Sequence, residues 1–231
     1  MNYLIFLTIL PSYLLGRYVY RMDKTEKEPA GLLFRLFVGG MLAVGLTISI
    51  SHLAKDSFPI LVSDSTDIKT LLIYNFLGVA LIEEACKWIM LFIFTWRNKN
   101  FNFLFDGIVY GVFVAIGFAT VENFLYVFSE GGGIITALLR AVLSVPAHAF
   151  FGVFMGYYYG LSKMDHNRKK GFLLFMIMSL LIPILLHGIF DLCLSINKWE
   201  FIAVYVVFVL LLYSVSFKRI KHLSKNDRYI K

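Results

Sequence analysis

Two adjacent glutamates and a lysine, Glu83, Glu84 and Lys87 in IEEACKW, stand inside a long apolar run. A third acid, Glu122, closes GFATVEN in the next run, with Phe118 one turn before it and Asn123 directly after. His148 follows in RAVLSVPAHAF, on the same helical stripe as Arg140 and Ser144. His187 and Asp191 sit one turn apart in PILLHGIFD. Three Glu, two His and an Asp suit water activation. One Glu takes a proton from water, a His relays it, and a second His oriented by Asp steadies the developing oxyanion. Lys87 is i,i+4 from Glu83 and i,i+3 from Glu84, so both acids can reach it. The i,i+4 spacing pairs Lys87 with Glu83 and leaves Glu84 freer to act as base, although spacing alone keeps both open. Lys87, Phe118, Asn123 and Arg140 are read as supporting residues.

Each group taken alone has a plainer explanation. A buried ion pair fixes helix packing, and a lone Glu or His often bonds a neighbouring helix. Serine chemistry is less attractive, because no G-x-S-x-G elbow surrounds Ser144. Asp106 and Asp191 fall at opposite membrane depths, which argues against an aspartyl dyad. Glu and His also ligate zinc, but no H-E-x-x-H string occurs. The expectation is a site without a cofactor, zinc being the alternative.

The elements that carry these residues must be membrane helices. The 231-residue chain is 59% apolar and only 16% charged, against about 25% charged for a soluble domain. Seven stretches approach the roughly 20 residues that cross the hydrocarbon. They are Tyr3–Tyr20, Ala30–Leu53, Ile68–Thr95, Phe103–Phe128, Ile134–Leu161, Gly171–Ile196 and Phe201–Phe217. The fold class is therefore all-α, a polytopic bundle of about seven transmembrane helices. Residues 1–217 form one helical domain and 218–231 a basic cytoplasmic tail. Cys86 and Cys193 lie in apolar runs and are read as packing residues.

The net charge of +7 is a statement about topology. Apart from Lys55, Lys69, Lys198 and the in-span Lys87 and Arg140, every Lys and Arg falls on one side. The positive-inside rule then places the N-terminus outside and the C-terminus in the cytoplasm. No nucleic-acid partner is needed to explain the charge, and the lipid bilayer is the partner it implies. Glu83, Glu84 and His148 come out near mid-membrane. Glu122 and His187 lie roughly 6 Å outward and Asp191 roughly 12 Å outward, at about 1.5 Å per residue. One site can hold all six, open beneath the loops near 129–133 and 197–200. Gly107 and Gly111, with Gly152, Gly156 and Gly160, read as close-packing seams. Asp106 is expected near Arg97 or Lys99. The loop Asp23–Pro29 is expected to be a charged turn, with Pro29 opening a helix.

The strings DKTEKEP, EEACK, FDGIVYG running into GFATVENFLY, PAH and HGIFD occur in that order from Asp23 to Asp191. Together they resemble the PrsW family of bacterial intramembrane proteases, within the superfamily of CAAX prenyl proteases. CAAX proteases carry EExxxR where this chain has EExxK, and His where it has Glu122, so a prenyl-protein substrate is not implied. The resemblance implies a glutamic-type mechanism in which Glu83 or Glu84 activates water, assisted by Glu122 and the histidines. It implies a multi-pass protein of the bacterial cell membrane. It also implies a substrate, a single-span anti-sigma factor cut first on its extracytoplasmic side. Later proteolysis would free a sigma factor for an envelope-stress response. Two other classes compete. A noncatalytic scaffold of the same fold has no need for both glutamates and both histidines. A proton-coupled transporter would show inverted repeats, and none is apparent.

Overall fold

Lengths of apolar sequence set the architecture, because a backbone in lipid must satisfy its own hydrogen bonds and does so as helix. The computed structural model describes residues 2–58, 67–129, 131–166, 171–196 and 198–230. Arg168, Lys169, Lys170 and Lys231, used above for orientation, lie outside the described residues. The helices are α1 (Asn2–Met22), α2 (Ala30–Ser57), α3 (Ile68–Ile73), a π-helix (Tyr74–Ala80) and α4 (Leu81–Thr95). They continue as α5 (Leu104–Phe128), α6 (Ile134–Val142), α7 (Ser144–Asp165), α8 (Phe172–Ser195) and α9 (Trp199–Lys225). Among the described residues, six stretches are long and apolar enough to cross a membrane, α6 and α7 counting as one. A seventh rod, Ile68–Thr95, is continuous but assembled from α3, the π-helix and α4.

Helix α5 is the axis of the bundle. It is apolar on every side and buried along most of its length. Its Gly107 and Gly111 face Gly152, Gly156 and Gly160 of α7. A Cβ on Gly156 would collide with the carbonyl oxygen of Gly107, and one on Gly111 with that of Gly152. The seam expected from the glycine spacing is thus backbone against backbone. Gly156→Val is expected to destabilise the protein by about 1–3 kcal/mol or more through overpacking, read as a lower thermal midpoint in detergent.

Three boundaries differ from the sequence reading. The expected single span Ile134–Leu161 is broken at Leu143, between α6 and α7. Pro146 has no N–H to offer Val142, and the freed Val142 carbonyl accepts the Tyr213 hydroxyl of α9 instead. The expected uniform span Ile68–Thr95 contains a π turn, in which the Leu81 N–H donates to Phe76 O, five residues back. Helix α9 runs past Phe217 to Lys225, so the first part of the basic tail is helical. The residues after it turn back onto the start of α5. There Leu104 N–H donates to Arg228 O at 2.9 Å, and Ile230 N–H to Asn102 O at 2.6 Å.

The loop Asp23–Pro29 is more than an exposed turn. Asp23 and Glu28 are buried, and Tyr110 of α5 donates its hydroxyl to Glu28 at 2.6 Å. Burial pushes the Asp23 carboxyl up to about 6, against the opposing pull of Lys27. It pushes Glu28 up to about 7, although the Tyr110 hydrogen bond favours ionisation. Asp106 is not paired with Arg97 or Lys99. It is buried and accepts the Asn102 and Phe103 N–H groups at 3.0 and 2.7 Å, which caps the start of α5. Cys86 and Cys193 are buried free thiols, as expected.

Candidate functional site

Helix α4 places Glu83, Glu84 and Lys87 on adjoining turns facing α5, α7 and α8. Lys87 is only 1% exposed. Its ammonium donates to Glu84 Oε1 at 2.8 Å and to Glu83 Oε2 at 3.3 Å. The shorter bond goes to Glu84, the reverse of the pairing expected from i,i+4 spacing. Lys87 also approaches His148 Nδ1 at 3.1 Å and lies 3.9 Å from the centroid of the Phe118 ring. Two carboxylates, an imidazole lone pair and an aromatic face therefore surround one buried cation, as the desolvated charge demands.

Helix α7 presents His148 within its second turn, below the break at Leu143. An ammonium can only donate, so His148 Nδ1 accepts from Lys87 and the ring carries its proton on Nε2. That N–H donates to Glu122 Oε2 at 2.8 Å. Arg140 at the end of α6 donates to the same Glu122 oxygen at 2.8 Å and to Asn123 Oδ1 at 3.2 Å. Asn123 in turn donates to the Thr8 carbonyl of α1 at 3.1 Å. The chain Lys87, His148, Glu122, Arg140, Asn123 thus links α4, α7, α5, α6 and α1.

His187 of α8 stands perpendicular to His148, with ring centroids 5.1 Å apart, and stacks on Phe151. Its Nδ1 faces Glu84 Oε1 at 2.8 Å and its Nε2 faces Asp191 Oδ2 at 3.1 Å. Glu83 Oε2 lies 3.9 Å from the same Nε2. A carboxylate at each ring nitrogen suits an imidazole with two N–H donors. All six residues singled out as catalytic, with the four supporting ones, are therefore joined in one network.

A cavity of about 450 Å³ opens onto one face of this network. Glu83, Glu122, His148, His187 and Asp191 line it, whereas Glu84 and Lys87 lie behind that wall. The rest of the lining includes Tyr126, Leu139 and Leu143 near the 129–133 loop, and Ser195 and Tyr205 near residues 197–200. Asn75 of the π-helix also lines it, its Oδ1 accepting from Ser195 Oγ at 3.1 Å. Sequence reasoning did not single out Asn75, Tyr126 or Tyr205. The only cue was position, an amide or phenol in an apolar run.

Donor atoms of Glu83, Glu84, His148 and His187 lie within 4.8 Å of one another. Two carboxylates and two imidazoles form a donor set that zinc accepts, and Glu84 Oε2 is a buried oxygen with no hydrogen-bond partner. The residues fit a divalent cation, which would have to displace the Lys87 ammonium that now contacts three of the four.

Comparison with known proteins adds an independent line. Residues 28–216 match the family profile described as PrsW family intramembrane metalloprotease. The chain is 35% identical over 224 residues to Protease PrsW of Halalkalibacterium halodurans, covering 95% of this chain and 96% of that protein. It is 35% identical over 224 residues to Protease PrsW of Shouchella clausii, covering 96% and 97%. Against Protease PrsW of Bacillus subtilis it is 33% identical over 192 residues, 83% of each chain. No solved structure matches the chain. The matched residues take in the whole buried network from Glu83 to Asp191, and the chain belongs to the PrsW family and is an intramembrane protease.

Proposed function

We propose that this protease makes the first, extracytoplasmic-side cut in a single-span anti-sigma factor of the bacterial cell membrane. Subsequent proteolysis would release a sigma factor and start an envelope-stress response. The N-terminus is outside and the C-terminus cytoplasmic in this reading. The single observation that carries the chemistry is the cavity wall, where Glu83 alone of the EE pair meets open space.

In the proposed mechanism Glu83, not Glu84, is the general base. It takes a proton from a water in the cavity, and the hydroxide adds to the carbonyl carbon of the scissile bond. The His187 Nε2–H, which faces Asp191 at 3.1 Å while Glu84 holds Nδ1, is shared with the oxyanion as charge develops there. Glu83 then returns its proton to the amide nitrogen, the C–N bond breaks, and an acid and an amine leave. Glu84 and Lys87 hold His187 and Glu83 at fixed separations, and Glu122 with Arg140 fixes the His148 ring. Lys87 is the resident cation of the site. If a divalent cation is bound, Glu83, Glu84, His148 and His187 hold it, and it supplies Lewis-acid polarisation and a more acidic water.

Co-expression with a tagged single-span anti-sigma factor tests the substrate. Wild-type chain is expected to convert it to a product shortened on its extracytoplasmic side. No cleavage of any anti-sigma factor offered, by a chain that cuts another membrane substrate, would refute the substrate assignment. Metal analysis of active protein tests the chemistry. Stoichiometric zinc, lost together with activity on chelation, would replace the metal-free reading.

A further inference from the structure

Helices α1 and α2 both pack along α5 and leave a furrow between them, with α5 as its floor. The furrow holds about 740 Å³, within the range of about 300–1,000 Å³ found for ligand sites. It shares no residue with the cavity at Glu83. Its walls are apolar and face outward from the bundle: Ile9 is 47% and Phe34 68% exposed. Phe113 and Ile116 form the floor.

Charge gathers at one end only. Arg17 and Arg21, one turn apart on α1, both line the furrow there and are exposed. Among the described residues neither has a salt bridge. Arg17 spends one N–H on the Tyr13 hydroxyl at 3.0 Å and keeps the rest of its fork free. Ser12, the polar residue further in, is already engaged. It accepts from the Thr120 hydroxyl at 2.7 Å and donates to the Ile116 carbonyl at 3.4 Å. The occupant must therefore be anionic at one end and apolar along its length. Guanidinium groups fit phosphate oxygens in particular. The length fits as well. From Arg21 to Ile9 the furrow runs about 18 Å, at about 1.5 Å per residue, and one leaflet of hydrocarbon is about 15 Å deep, half of about 30 Å.

We propose that this furrow binds one anionic phospholipid, with its phosphate on Arg17 and Arg21 and an acyl chain laid along Phe113 and Ile116. The lipid braces α1 against α5. Helix α1 also carries the Thr8 carbonyl that receives Asn123, at the edge of the buried network. In the orientation proposed above, the arginine end is cytoplasmic, the side on which anionic headgroups attract basic residues. Basic residues at this end also satisfy the positive-inside rule without any bound lipid. Arg35 separates the two explanations, since it is exposed near the same end, on α2, but does not line the furrow.

The test uses the full chain in detergent, given dioleoylphosphatidylglycerol, dioleoylphosphatidylcholine or glycerol 3-phosphate. The thermal midpoint is expected to rise saturably with phosphatidylglycerol, by about 5 °C when the lipid exceeds its Kd a hundredfold. Phosphatidylcholine should bind about 10- to 30-fold more weakly, the effect of two basic residues at a headgroup. Arg17→Gln/Arg21→Gln should lose that preference and keep the wild-type midpoint in phosphatidylcholine, while Arg35→Gln retains it. Phosphatidylglycerol with a diazirine in its acyl chain should label Phe113 on the furrow floor, and less so in the double variant. Equal loss of preference in Arg35→Gln would reduce the effect to general surface charge. An equal rise with glycerol 3-phosphate would make it a phosphate site without a lipid chain. Label on the exposed Leu210 and Leu211 of α9 but none on Phe113 would leave the furrow to a partner helix or a second copy. Each of these three results overturns the proposal.

Discussion

Glu83→Gln is expected to lose cleavage by roughly 10²–10⁴-fold while the protein still folds. Glutamine keeps the shape and can still accept from Lys87, but it cannot take a proton from water. Glu84→Gln should behave differently. Its Oε1 meets Lys87 and His187 at 2.8 Å each, and it does not line the cavity. Its loss should lower stability and slow cleavage by misplacing His187, with a smaller effect on the chemical step. Cleavage measured at equal membrane abundance, with thermal midpoints alongside, separates the two. Wild-type cleavage by Glu83→Gln, together with an inactive but stable Glu84→Gln, would exchange the two roles.

The second large effect concerns Lys87. Replacing it by Met keeps the volume and removes the charge, which strands two carboxylates in a buried site. A cost of about 3–5 kcal/mol is expected, enough to unfold a marginal protein. The double variant Glu84→Gln/Lys87→Met should recover most of that stability, because one stranded acid is neutral. It should remain inactive, since His187 has lost the charge that held its Nδ1. Denaturant unfolding of the two single variants and the double variant gives the coupling energy directly. A Lys87→Met protein as stable as wild type would show that the ammonium is not what balances Glu83 and Glu84.

Much of the site was legible because polar residues in apolar helices have few places to go. The spacing of Glu83, Glu84 and Lys87 placed all three within mutual reach, and Phe118 proved to be the ring beneath the ammonium. His187 and Asp191, one turn apart, do bond as their spacing suggests. Which glutamate faces the cavity was not legible. That depends on the rotation of α4, and the π turn just before it shifts the phase that a regular helix would give. The break at Leu143 was also hidden, since the partner that takes the freed carbonyl, Tyr213, lies in α9, far along the chain. Burial of Asp23, Glu28 and Asp106 contradicts their charge-rich local sequence. It becomes visible only when the loop, α5 and the tail are seen together.

The glycine seam between α5 and α7 sets the relative depth of Glu122 and His148. Glu122 is carried by α5 and His148 by α7, and their 2.8 Å bond survives only if the helices do not slide. A slip of one residue would move one against the other by about 1.5 Å. Backbone carbonyls lodged where side chains would be act as detents against that slip. Axial alignment of the acid and the imidazole is thus maintained by residues that have no side chain and take no part in the chemistry. The exposed Phe124 and Leu125 can change without disturbing it, whereas one methyl group at Gly156 cannot be added without cost.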